Sequence, residues 1–140
     1  VLDKLQDILV AGNEFSHLRE KTISMHDICH YPLISLQEST TTRHYLDYIF
    51  RLHNILLRPD IELASINLVL PLVRNNLGIG FIPREIAADD IKRGEIFEIK
   101  LKEPLPQRSI CAVTCTKYPA TAIMKAFLEC VWEKSEEHRS

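Results

Sequence analysis

The sequence predicts an α/β fold, and two observations carry that prediction. Short apolar runs of strand length alternate with segments of helical three- and four-residue periodicity, and no internal repeat or low-complexity tract interrupts them. The composition, 46% hydrophobic and 26% charged over 140 residues, is that of a globular chain long enough to enclose a core. Size predicts one compact domain or two small lobes.

Taken in order, Leu5 to Ala11 reads as a strand closed by the turn pair Gly12-Asn13. Ser24, with Asp27 three residues on, caps one or two helical turns that Pro32 stops, and Pro32 to Leu36 resumes as an extended apolar run. Gln37 to Thr42 is rich in capping residues, and Arg43 to Leu57 follows as an amphipathic helix with Tyr45, Tyr48, Ile49, Leu52, Ile55 and Leu56 as its apolar face. Arg58-Pro59-Asp60 breaks it, Ile61 to Ala64 reads as a strand, and Ser65 or Asn67 caps a second helix that ends at Gly78. Pro71 removes a backbone donor from that helix, at a cost of about 3 kcal/mol in an interior position. The helix therefore kinks there or begins near Pro71.

Ile79 to Pro83 is a short buried strand, Arg84 to Lys92 a polar helix or turn ahead of Gly94, and Ile96 to Leu101 an alternating strand. Pro104 and Pro106 mark a connection. Arg108 to Thr116 reads as a strand with two apolar faces, Ala120 to Trp132 as a closing amphipathic helix, and Glu133 to Ser140 as a solvated end.

Lys plus Arg number 17 against 19 Asp plus Glu, a net charge of -2, which predicts no broad footprint for a phosphate backbone. The opening VLDKLQDILVAG is broken by Asp and Lys and no later run reaches membrane length, so a soluble cytoplasmic protein without a membrane partner is expected. The start at Val1 is abrupt and suggests a cut from a longer chain. Cys29, Cys111, Cys115 and Cys130 form no CxxC pair and sit among apolar neighbours, the pattern of reduced, buried thiols. Cys111 and Cys115, four apart on a predicted strand, would lie about 13 Å apart, too far for a disulfide. A redox pair of either with Cys130 stands as the alternative to core packing. His26 and His30 fall at i,i+4 spacing beside Cys29, but without a third ligand they read as surface histidines, and no metal site is expected.

The strongest local signal is Val73 to Pro83, a helix stopped by Gly78 and turned directly into a strand, where Gly78 can take positive φ and Gly80 admits close approach. Its order matters more than its sequence. ISMHDICHYPLISL, a polar STTTR helix start, an extended segment, LVRNNLGIGFIP, GEIFEIKL, RSICAVTC and a final helix with Phe127 together resemble the effector-binding domain of LysR-type bacterial transcription regulators. Pro32-Leu33-Ile34, Arg43 and Val73 to Pro83 occupy that family's Pro-Leu-Ile strand, early helix arginine and glycine-containing turn, and the resemblance covers almost the whole chain from about Leu5. Asn76, where the family often has a small residue, and Pro71 depart from the pattern.

The resemblance implies a type 2 periplasmic-binding-protein-like fold, two α/β lobes joined by crossover strands near Ile8-Leu9-Val10 and Ile110-Cys111-Ala112, with a ligand between them. Lobe II would be near complete over 12–107 and lobe I a remnant in 1–11 and 108–140, with the winged helix-turn-helix outside the chain. The implied partners are a small-molecule effector, further copies in a homodimer or tetramer, and DNA only through the missing N-terminal domain. No cofactor is implied.

A helix N-terminus gathers amide donors and partial positive charge, so Ser39, Thr40, Thr41 and Thr42 either hold a small carboxylate or other anion or simply cap the helix. The resemblance adds Ser35 to Gln37 and Ser65 as residues lining the site. The candidate effector-binding set is Ser35, Gln37, Ser39, Thr40, Thr41 and Ser65. A solute-binding receptor or an enzyme on the same fold is the rival reading. No nucleophile has an adjacent base in a catalytic motif, so no catalytic residue is assigned, and the lack of a targeting pattern within this sequence speaks against the secreted receptor.

Overall fold

The computed structural model describes residues 1–137 and divides into two compact units, Gln6–Pro106 and a smaller one of Val1–Leu5 with the chain from Gln107 onward. In chain order the elements are β1 (Asp3–Leu5), β2 (Asp7–Gly12), β3 (Thr22–Ile23), α1 (Met25–Ile28), β4 (Leu33–Leu36), α2 (Thr41–Leu52), β5 (Ile61–Leu63), α3 (Val69–Arg74), β6 (Ile79–Pro83), α4 (Arg84–Lys92), β7 (Ile96–Leu101), β8 (Arg108–Ile110) and α5 (Ala122–Glu137). Short 3-10 turns at Asn13–Leu18 and Ile66–Leu68 complete the set.

The larger unit is a mixed six-stranded sheet in the order β3-β7-β2-β6-β4-β5. β2 runs antiparallel to both β6 and β7, whereas β4 is parallel to β5 and β6. Alternate residues of these strands enter two different cores, because side chains along a strand point to opposite faces. Leu9, Ala11, Leu33 and Phe81 join Met25, Ile28, Leu46, Ile49 and Phe50 on one face. Ile8, Val10, Ile34 and Ile82 join Val69, Val73 and Ala87 on the other. The result is a sheet covered by helices on both sides.

Several elements form as their sequences dictate. Ser24 and Asp27 make a reciprocal capping box at α1, with the Ser24 N–H donating to Asp27 Oδ2 at 2.8 Å and the Asp27 N–H to Ser24 Oγ at 3.2 Å. Hydrogen bonds from the Ser24 backbone and then its side chain hold the Asp27 carboxyl below its ordinary pKa. Pro71 is the third residue of α3, inside the first turn, where a missing N–H costs no intrahelical bond. Gly94 ends α4 with φ +75.

Ile8-Leu9-Val10, expected at a crossover, lies inside β2, hydrogen-bonded to β6 and β7, and the two units divide just ahead of it, at Gln6, and again at Gln107. Other expectations are corrected. The left-handed residue after α3 is Asn76, φ +63, rather than Gly78. Leu77 N–H reaches back to Leu72 O at 3.1 Å, the Schellman closure that Asn tolerates. Gly78 is needed for space: a Cβ there would lie 2.6 Å from Pro32 O.

On α2 the buried residues are Arg43, Leu46, Ile49 and Phe50, while Tyr48 and Leu52 are exposed. The helix carries two apolar stripes, and the sheet takes the one that includes Ile49.

In the smaller unit, β1 and β8 form a two-stranded antiparallel ribbon, Asp3 opposite Ile110. The strand expected over 108–116 stops at Ile110, and no residue of α5 is buried. Cys111, Cys115 and Cys130 are therefore exposed, as is Cys29 beyond α1, contrary to the buried thiols expected. Glu133 to Glu137 continue α5, and the last three residues of the charged end lie outside the described residues.

Candidate functional site

Two strand-to-helix turns meet at one edge of the larger unit. β4 and β5 are parallel and in register, Leu36 opposite Leu63, so the turns that follow them emerge side by side at the carboxyl ends of neighbouring strands, where open α/β sheets place their ligands. The Gln37 N–H donates to Leu63 O at 2.9 Å and ties one turn to the other.

Thr40 caps α2: its hydroxyl accepts from the Arg43 N–H at 3.2 Å and donates to Gln37 O at 2.8 Å. Ser65 caps the next turn by accepting from the Asn67 N–H at 3.3 Å. Both hydroxyls are spent on the backbone, the capping role the sequence left open. Ser39, Thr41 and Gln37 are exposed at the same turn. Ser35 lies on β4 beside Leu33 and Leu36. Its hydroxyl is buried and, among the described residues, has no hydrogen-bond partner. Such a group costs about 1 to 3 kcal/mol if it stays unsatisfied. The six candidates are thus brought to one edge, with two hydroxyls acting as caps and the buried hydroxyl of Ser35 unpartnered among the described residues.

Arg43 organises this edge, a role its family position gave no hint of. Only 3% exposed, its guanidinium donates to Leu36 O at 3.0 Å and to Asp47 Oδ1 at 3.0 Å. Glu62 stands at 3.5 Å and Glu38 at 3.7 Å. One side chain thereby joins the end of β4, β5, the turn and α2, and the fork geometry of arginine is what reaches all four. The signal in the sequence is a charged residue in the first turn of a helix, on the stripe shared with Leu46 and Phe50.

His26 lies in α1 and His30 beyond its end, both exposed, so they do not share a helical face. Among the described residues no group of three or more His, Cys, Asp or Glu is placed to hold a metal ion, and no helix is long and apolar enough to cross a membrane.

The family model described as the LysR substrate binding domain matches residues 4–136. The chain is 25% identical over 129 residues to an uncharacterized HTH-type transcriptional regulator, YfiE, of Escherichia coli strain K12, covering 90% of this chain and 42% of that protein. Among solved structures it is similar to the effector binding domain of QuiR in complex with shikimate, with TM-score 0.75 and 18% identity over 98% of this chain and 64% of that one. It is also similar to the regulatory domain of Synechocystis PCC6803 CcmR in complex with 2-PG, with TM-score 0.76 and 14% identity over 94% of this chain and 64% of that one. These likenesses show the fold, that of type 2 periplasmic-binding proteins. The chain spans less than half of the curated relative and under two thirds of either solved domain.

Proposed function

Because the chain belongs to the family of LysR substrate-binding domains, we propose that it is the effector-sensing part of a cytoplasmic transcription regulator, taking a small molecule at the turns after β4 and β5. On this reading the unit Gln6–Pro106 is lobe II and the smaller unit a portion of lobe I. DNA is contacted through another domain of the regulator, and no catalytic residue is involved. Copies assemble as a homodimer or tetramer through their effector domains.

The observation that supports this reading is the buried, unpartnered hydroxyl of Ser35 on the strand that ends at Gln37. A ligand hydroxyl or carboxylate would satisfy it, while Ser39, Thr41 and Gln37 supply further donors and the start of α2 favours negative charge. The ligand is a small carboxylate or another polar anion, a reading supported by structurally similar domains in complex with shikimate and with 2-PG. Each dipole interaction is worth only about 0.3 to 1 kcal/mol when exposed, so selectivity requires several donors at once. Regulation requires an affinity difference of about 1 to 3 kcal/mol between two arrangements, not tight binding.

Thermal unfolding of the chain with small carboxylates, inorganic anions and aromatic acids tests this, because a ligand of the folded state raises the melting temperature. One class should raise it selectively, and Thr41→Val with Ser35→Ala should remove the shift. Thr40 is avoided, since losing the cap lowers stability by itself. A shift that survives both substitutions places the ligand elsewhere and refutes the assignment.

A further inference from the structure

At the opposite end of β4 from these turns the larger unit holds a cavity of about 210 Å³. Its floor is apolar, made by Leu33, Phe50 and Leu57, which are 4%, 1% and 6% exposed. Its rim carries Tyr31, Arg58 and Asp60.

The backbone is fixed at two points beside this cavity. α2 ends with Asn54 in the left-handed conformation, φ +57, and the Ile55 N–H returns to Phe50 O at 2.9 Å, which turns the following residues over the end of the helix. Asp60 is then pinned to the start of β4. Its Oδ2 accepts from the Leu33 N–H at 2.8 Å, and its own N–H donates to Leu33 O at 2.8 Å. Asp60 is committed to the backbone, whereas Arg58 is exposed and, among the described residues, makes no ion pair.

We propose that this cavity is a second small-molecule site, for a compact apolar body carrying a single carboxylate that pairs with Arg58. Size supports the class: a cavity of about 150 Å³ lined by Leu, Ile and Phe accepts benzene, so 210 Å³ accommodates a six-membered ring with a carboxyl group. Chemistry supports it as well: the floor is apolar, the Asp60 carboxylate on the rim is engaged by the Leu33 N–H, and a guanidinium pairs with a carboxylate in bidentate fashion. The site shares β4 and α2 with the proposed effector site but none of its residues.

Nitrogen-15 NMR titration of the whole chain with benzoate, with benzyl alcohol and acetate as controls, tests the proposal. Benzoate should shift the amides of Tyr31, Leu56 and Arg58 and slow alkylation of Cys29, which also lines the cavity. Arg58→Gln should weaken benzoate by about tenfold, the scale of one charge-assisted hydrogen bond, and leave benzyl alcohol unchanged. Cys29→Trp, at an exposed position, should fill the cavity and abolish binding with the melting temperature preserved. Should that variant not fold, Arg58→Gln and the alkylation rate decide. Shifts confined to Gln37 to Thr41 and Ser65, acetate binding as well as benzoate, or Arg58→Gln binding as tightly as the unaltered chain would overturn it.

Discussion

Phe50 and Phe127 are both helix phenylalanines with apolar neighbours three or four residues away, yet one is 1% exposed and the other 65%. Phe50 meets Phe81 edge to face at 6.1 Å within a core drawn from several strands and helices. Phe127 shares α5 with Ile123, 83% exposed, and Trp132, 49% exposed. The two units contain similar apolar residues and differ in what is brought against them. On the proposed two-lobed reading, these exposed apolar residues of α5 belong to lobe I.

The sharpest way to break this comparison is to truncate both rings. Phe50→Ala should cost about 3 to 5 kcal/mol, as for other buried aromatics, and Phe127→Ala less than about 0.5 kcal/mol, as for open surface. Urea unfolding measures both, and equal losses would mean that the α5 face is covered in solution. Next in size, Arg43→Met should destabilise by about 2 kcal/mol, because Leu36 O loses a charged donor while the carboxylates of Glu38 and Glu62, 81% and 44% exposed, are hydrated in its place. Gly78→Ala should cost about 1 to 3 kcal/mol, the range for overpacking, since the added carbon meets the fixed Pro32 carbonyl.

A smaller, pH-dependent effect belongs to the capping box of α1. The Asp27 carboxyl is held below its ordinary value, so its stabilising contribution is fully present above the unfolded carboxylate pKa, about 3.9. It is lost as pH falls through the lower folded value. Thermal melts from neutral to acidic pH should show this limb, and Asp27→Asn should flatten it. The last prediction involves no stability change. Cys29, Cys111, Cys115 and Cys130 should all react with a thiol reagent in the folded chain without denaturant, because all are exposed. A slow phase that denaturant removes would show that one of them is covered.

The candidate site was legible only in outline. The run of hydroxyls before Arg43 announces a helix start, and the cap at Thr40 follows from it. Nothing local says that Ser65 would stand at the neighbouring turn, because that depends on the parallel pairing of β4 with β5. Nor does the order of residues separate the capping hydroxyls from the unpartnered one at Ser35.

The sequence by itself determined the alternation of the main strands and helices, the capping box at Ser24 and the family, and it flagged Pro71 as the place where the helix before Gly78 either kinks or begins. Caps, periodicity and proline placement act over a few residues and carry their meaning wherever they occur. Only the tertiary structure decided which stripe of α2 is buried, that Asn76 rather than Gly78 takes the left-handed turn, that Arg43 binds four segments together, and that the cysteines face solvent. Each of those outcomes depends on a second surface from a distant part of the chain, and burial is a property of the two surfaces together rather than of either residue alone.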